Sequence, residues 1–397
     1  MHHRYTPITL GLISFMYAVG LASGSDCPAL SQKTPPESVT TGQTPLVASA
    51  HSKILYQYKS DGIEVPAATA DEPTVKAFGP DTILAAKKYL DDGAHYWVRE
   101  KSCVACHTSG VYMVERPVVT PLLGKPSSEV REDFVSSIPK KPGGSSIKSV
   151  WLAEGLASWD KYVAGALSPD TDKALRHMFT CMAEDAYFKP IAQVEIPYIT
   201  TAFELTVQAA RAVANAPGWL ASIEEPALLK RINAMKGWLR LHAPVSDYEL
   251  ALKLQLAALM PDVVPEAVRK NAVSMLWRQQ LADGGWSTRR ISDIMRWHEK
   301  MDPKVVAMIQ SEPDAANPGS DPYMTAWAIV LLREEGIPVS NPRIQKGVAW
   351  LKANQRVSGR WWMKSLFRDT YHYSTYISTA QALRALAICG EVPKLSE

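Results

Sequence analysis

Lys346-Gly347-Val348-Ala349-Trp350-Leu351, continued by Gln355, Gly359 and Trp361, is the stretch that sets the architecture of this chain. A second copy runs Trp277, Gln279-Gln280 and then Asp283-Gly284-Gly285-Trp286, and a degenerate third is Lys236-Gly237-Trp238-Leu239. Trp238 and Trp277 are 39 residues apart, and Trp277 and Trp350 are 73 apart. The first spacing is one helical hairpin long, which predicts an array of repeats. The excess in the second falls in a polar, Pro-rich insertion at about 287–320, which carries Met295, Trp297, His298 and Met301.

Between these copies lie helices that open alike: Tyr198-Ile199-Thr200-Thr201-Ala202, Tyr323-Met324-Thr325-Ala326 and Tyr376-Ile377-Ser378-Thr379-Ala380, with a looser start at Asp247-Tyr248. Small and aliphatic residues follow on nearly all sides, as in Ala380, Ala382, Leu383, Ala385 and Leu386. A helix apolar all round is buried all round. The Trp-bearing helices carry more charge and are expected to form an outer layer over these inner ones. At the end of an outer helix, Gln can bond exposed peptide groups of the next turn, Gly permits the reversal, and Trp packs beneath.

Lys346-Gly347, Trp350-Leu351, Gln355, Gly359 and Trp361 together resemble the QW repeat of squalene and oxidosqualene cyclases. The resemblance spans roughly residues 190–390 and extends more faintly over 80–190. It implies an all-α fold, an α/α toroid of helical hairpin repeats, terpenoid cyclase-like. It also implies where a cyclase would keep its acid: class II cyclases protonate an alkene with an Asp in a DxDD or DCTAE-like segment at the head of an inner helix. This chain has no such segment. Asp321 is the nearest carboxylate, and its neighbour is Pro322. Asp170-Thr171-Asp172 follows Ser168-Pro169 and reads as a solvated helix start. The resemblance therefore brings the fold without the reaction. No catalytic residue is assigned.

Another segment carries chemistry of its own: Cys103-Val104-Ala105-Cys106-His107. Two cysteines three apart with a histidine directly after them match covalent c-type haem attachment. The thiols add to the haem vinyl groups and the imidazole reaches the iron. With 5 Cys and 9 His in the chain, chance places them in this order only about once in 700 such chains. Cys103, Cys106 and His107 are the expected haem-binding residues, with His107 the iron ligand. A disulfide between Cys103 and Cys106 and a metal site are the alternatives; zinc would want four ligands, and no second Cys or His pair is evident. Ser102 stands five residues after Trp97, as Gln355 stands after Trp350, so the motif replaces the Gly-x-Trp tail of an early repeat. Cys103 to Thr108, Tyr112 and Arg116-Pro117 are also similar to a pattern in exported bacterial cyclase-like proteins.

Other residues stay open between two roles. Met113, His177, Met178, Met182, His298 and Met301 are distal-ligand candidates or packing residues. Arg116 either pairs with a haem propionate or caps a loop. Tyr198, Tyr323 and Tyr376 either line a cavity for an apolar or isoprenoid ligand or tie helix heads together, and Trp361-Trp362 reads as packing. Cys27, Cys181 and Cys389 either pair with one another or stay free.

The chain of 397 residues has 46% hydrophobic and 21% charged residues, a globular profile, with twelve Trp and fifteen Tyr against seven Phe. A formal charge of +3 from scattered basic residues gives no nucleic-acid signal. His2, His3 and Arg4, the apolar run Ile8 to Leu21 and Ala22-Ser23-Gly24 predict a signal peptide over 1–25. The run is short of the ~20 residues of a membrane span, so no transmembrane segment is expected after cleavage. Residues 26–78 are Pro-, Ser- and Thr-rich and are expected to be a linker. A toroid domain is expected over 79–390. The combined expectation is an exported, periplasmic toroid with one covalent haem c and an electron-transfer or haem-linked redox role, served by an unnamed redox partner. A toroid binding a lipid, isoprenoid or protein partner is the alternative, and a terpene cyclase the third.

Overall fold

Helices with a single apolar stripe alternate along the chain with helices buried on nearly every side. In a computed structural model, residues 54–101, 104, 107–190, 201–293, 303–366 and 372–394 are described, all within the compact unit Leu46–Glu397. The expected signal peptide lies outside them.

Six outer–inner hairpins follow one another among the described residues. Helix α1 (Pro80–Lys101) precedes α2 (Ser109–Glu115), and after the single turn α3 (Thr120–Leu123), α4 (Ser128–Ser136) precedes α5 (Ser146–Trp159). Next come α6 (Pro169–Thr180) with α7 (Ala202–Asn215), the short α8 (Trp219–Ser222), and α9 (Pro226–Leu241) with α10 (Asp247–Leu259). In the fifth hairpin α11 (Glu266–Gln279) is separated from α14 (Pro322–Glu334) by α12 (Thr288–Ile291) and α13 (Pro303–Gln310), which lie in the expected insertion. The last pair is α15 (Pro342–Asn354) and α16 (Tyr373–Ile388).

The inner members pack in a ring. α2 lies on α5, α5 on α7, α7 on α10, α10 on α14, α14 on α16, and α16 returns to α2. That closure makes the fold an α/α toroid. Burial follows the expected division. Pro322 through Leu332 of α14 are all buried, whereas α15 buries only Ile344, Gly347, Val348 and Leu351, a stripe at helical spacing.

The repeat motif works as a double link. Gln355 Nε2 donates to Gly359 O of its own turn at 3.0 Å and to Thr82 O in the first turn of α1 at 2.9 Å. Gln280 Nε2 does the same to Gly284 O and to Arg343 O of α15, both at 2.8 Å. The Trp indoles reach back, Trp361 Nε1 to Leu351 O at 2.8 Å and Trp286 Nε1 to Leu276 O at 2.7 Å. Because Thr82 belongs to the first hairpin, the last Gln closes the ring.

An inner-helix threonine anchors each of the two full copies of the motif. Thr379 Oγ1 accepts from Trp361 N at 3.1 Å and Thr325 Oγ1 from Trp286 N at 2.9 Å. Thr206 Oγ1 accepts from Phe188 N at 3.0 Å, so Phe188 stands where those Trp residues stand. This bonding corrects the sequence alignment of the third inner helix: Thr206, not Thr200 or Thr201, is the partner of Thr325 and Thr379. Thr201 is instead the N-cap of α7, accepting from Glu204 N at 3.1 Å.

The expectation of a linker over 26–78 is corrected in its last third. Tyr56–Ser60 (β1) and Ile63–Pro66 (β2) form an antiparallel hairpin across Asp61-Gly62, and Tyr58, Ile63 and Val65 are buried. The hairpin packs on α1. Downstream, Glu72 bonds Arg360 at 3.1 Å and Ser358 N at 2.9 Å, and Val75 N donates to Gln355 O at 2.8 Å. The segment is polar because its role is to satisfy the exposed turn after α15. No described helix is long and apolar enough to cross a membrane.

Candidate functional site

Two places in the ring carry chemistry. One is the outer-to-inner link of the first hairpin, between α1 and α2, where residues 103–107 stand. Cys103 and Cys106 lie outside the described residues. His107 is described, and its ring is edge-on to Trp97 at 4.8 Å between centroids and faces Tyr373, at the head of α16, at 5.9 Å. Burial pushes its pKa down to about 4, so the imidazole is neutral at physiological pH, with one ring nitrogen unprotonated. Thr108, directly after it, is buried and hydrogen-bonds Tyr58 of the N-terminal hairpin.

Most neighbours weighed for this site have structural work. Arg116 is buried and donates to Gly124 O at 2.9 Å and Leu123 O at 3.0 Å, with Asp91 at 3.5 Å. It caps the loop after α3. Tyr112 donates to Asp91 at 2.8 Å and accepts from Ser127 N at 3.0 Å, fixing α2 to α1. Met113 is core, packed against Gly155 of α5. His177, Met178 and Met182 sit on or just after α6, which packs on α5, α7 and α9. His298 and Met301 lie outside the described residues, as do Tyr198 and Cys27. Tyr376 is buried, with its hydroxyl donating to Leu90 O at 2.6 Å, a tie between helices. Trp361 is wholly buried. Cys181 and Cys389 are free thiols.

Asp321 caps α14, accepting from Met324 N at 2.8 Å and Thr288 Oγ1 at 3.0 Å. Burial raises it to about 6 against those hydrogen bonds, but its lone pairs are spent on the backbone. Asp172 is equally committed, accepting from Trp219 Nε1 at 2.7 Å and Arg176 at 2.8 Å.

The second place is the lumen of the ring. Counted from the anchoring threonines, the positions two before and two after face it: Glu204 and Gln208, Tyr323 and Trp327, Ile377 and Gln381. α2, α5 and α10 add Glu115, Trp151, Glu154, Tyr248 and Gln255. Of this constellation, sequence reading named only Tyr323 as a cavity-lining candidate, since buried Glu and Arg on a helix resemble surface charge. The helix register relative to the anchoring Thr is the signal that finds it.

Ion pairs cross the lumen. Arg384 reaches Glu115 at 2.8 Å and Glu334 at 2.8 Å; Arg211 reaches Glu115 at 3.1 Å and Glu154 at 2.9 Å. Burial raises the Glu115 pKa, but Arg384 and Arg211 outweigh it and hold the carboxylate ionised. For Glu154 burial wins over Arg211, and the acid is pushed up to about 7. The cavity here is about 50 Å³, and a second of about 220 Å³ beside Lys161, Asn215 and Arg384 shares Val114, Arg211 and Gln255 with it as lining. Small-molecule pockets usually run to several hundred Å³ and are mostly apolar, so an isoprenoid chain does not suit this space.

No protein-family model matches this chain, and no curated protein matches it in sequence. Among solved structures, it is similar to an ent-copalyl diphosphate synthase from Streptomyces platensis, with 15% identity and a TM-score of 0.46 over 72% of this chain. The chain spans half the length of that synthase, covering 50% of it. A glycosidase is similar at 10% identity and a TM-score of 0.36, over 79% of this chain and 87% of that one. Among the described residues no three His, Cys, Asp or Glu side chains converge as a metal site.

Proposed function

We propose that this protein is exported to the periplasm, carries one covalent c-type haem on Cys103 and Cys106 with His107 as iron ligand, and has an electron-transfer or haem-linked redox role. The observation that carries the reading is His107. It directly follows two suitably spaced thiols, and burial keeps its imidazole in the neutral form that an iron ligand takes. Two thiols and a neutral imidazole are the donor set the group requires. When bound, the haem supplies one-electron chemistry at iron.

The chain's own residues then have stated parts. Cys103 and Cys106 would hold the group, each thiol adding across one vinyl double bond as a thioether. Trp97 and Tyr373 hold the His107 ring between an outer helix and the head of α16. Arg116 belongs to its loop and is not a propionate partner. His107 would be the iron ligand this segment supplies.

The test is a haem stain on denatured full-length protein, expressed with its leader in a host that matures c-type cytochromes. A positive band is expected, lost in Cys106→Ala. A wild-type mass lacking haem, with Cys103 and Cys106 joined as a disulfide, would remove the redox reading.

A further inference from the structure

We propose that the lumen of the helical ring binds a small organic ammonium ion, with Glu154 as its counter-charge and the rings of Tyr248, Trp327 and Tyr323 as its wall. This inference does not depend on the haem reading.

Glu154 lies in the middle of α5 and is 0% exposed. Neither carboxylate oxygen accepts a hydrogen bond. Arg211 Nε stands 2.9 Å from Oε1, but off the line that would make it a donor. A buried acceptor left without a donor costs about 1–3 kcal/mol, and more when it is charged. The deficit points to a missing donor in the space that Glu154 faces.

The charge and the walls specify that donor. Four carboxylates, Glu115, Glu154, Glu204 and Glu334, stand with three cations, Arg211, Arg384 and Lys161, in and beside the lumen. Glu115 is matched by both arginines, and Glu204 accepts from Tyr248 at 2.8 Å. Glu154 shares Arg211 with Glu115 and has no cation of its own among the described side chains. Tyr248 and Trp327 have centroids 5.2 Å apart and Tyr323 and Trp327 5.9 Å apart, a continuous aromatic face on the same cavity. A carboxylate opposite aromatic faces is the setting in which an alkylammonium is held by both charge and ring quadrupole. A metal ion would want several converging ligands, and the described side chains offer no such set. The cavity of about 50 Å³ limits the head group to the size of ammonium or methylammonium.

A proton on Glu154 is the competitor, since it also removes the charge. Full-length protein titrated with methylammonium chloride at pH 8 should show saturable stabilisation to heat and a saturable change in tryptophan fluorescence. Methanol, or sodium chloride at equal ionic strength, should give neither. At pH 6 the apparent affinity should fall several-fold. Glu154→Gln keeps the volume and should weaken binding at least tenfold; Trp327→Leu, which keeps every charge, should weaken it less. If Glu154→Gln does not fold, the wild-type comparison decides alone. Equal responses to methylammonium and sodium, or no saturable response at pH 8, would mean that ordinary water or a proton completes the lumen, and would overturn the proposal.

Discussion

Gly359 sits at φ +86°, and a Cβ there would stand 2.3 Å from Ala86 N of α1. Two separate requirements meet at that residue: a left-handed backbone, and room for the first helix to approach the last turn. Gly390 has φ +76° but nothing within 4 Å of its would-be Cβ, so it isolates the first requirement. Gly359→Ala should therefore cost about 2–4 kcal/mol, and Gly390→Ala about 1 kcal/mol. Guanidinium denaturation of both variants checks this; equal costs would mean that the approach of α1 contributes nothing. At this scale Gln355, Gly359 and Trp361 were legible because their spacing recurs around Trp277. Glu154, Arg211 and Arg384 were not legible: a charged residue in a helix says nothing of which side it faces until the ring is closed.

Among the elements, the N-terminal hairpin was the one misread, and its signal was present. Tyr56-Gln57-Tyr58 and Ile63-Glu64-Val65 alternate on either side of Asp61-Gly62, a two-residue turn with Gly62 at φ +76°. The strands are short and flanked by polar chain, so composition outweighed pattern. Once on α1, this element and the segment after it clamp the turn that follows α15. Arg360, 4% exposed, is the centre of the clamp, bonding Pro66 O at 2.6 Å, Ser358 Oγ at 2.8 Å and Glu72 at 3.1 Å. Arg360→Met should destabilise the protein by about 3 kcal/mol, because Glu72 loses its buried partner. Limited proteolysis should also cut within residues 54–78 well before the helices. A variant as resistant as wild type would show that the clamp is incidental. The Pro-rich composition of the segment at about 287–320 gave no sign of α12 and α13 within it.

For the molecule as a whole, the all-helical toroid was readable from periodicity and the family resemblance, whereas ring closure rests on contacts between residues 270 or more positions apart, such as Gln355 with Thr82 and Tyr376 with Leu90. Open solenoids fray from their terminal repeats. Here the first and last hairpins share an interface, so amide exchange in α1 and α16 should be as slow as in α7 and α10. Markedly faster exchange at the two ends would mean that the seam is weak. Closure also makes the place where the chain begins a matter of ancestry more than of mechanics. Gly143 and Gly144, in the loop between α4 and α5, have φ of +82° and +113° and open space around them. A circular permutant of residues 54–394 cut there, with residues 394 and 54 joined by a flexible linker, should recover the helical signal and a melting temperature near the parent's. A permutant that stays unfolded would show that this ring can be entered from only one door.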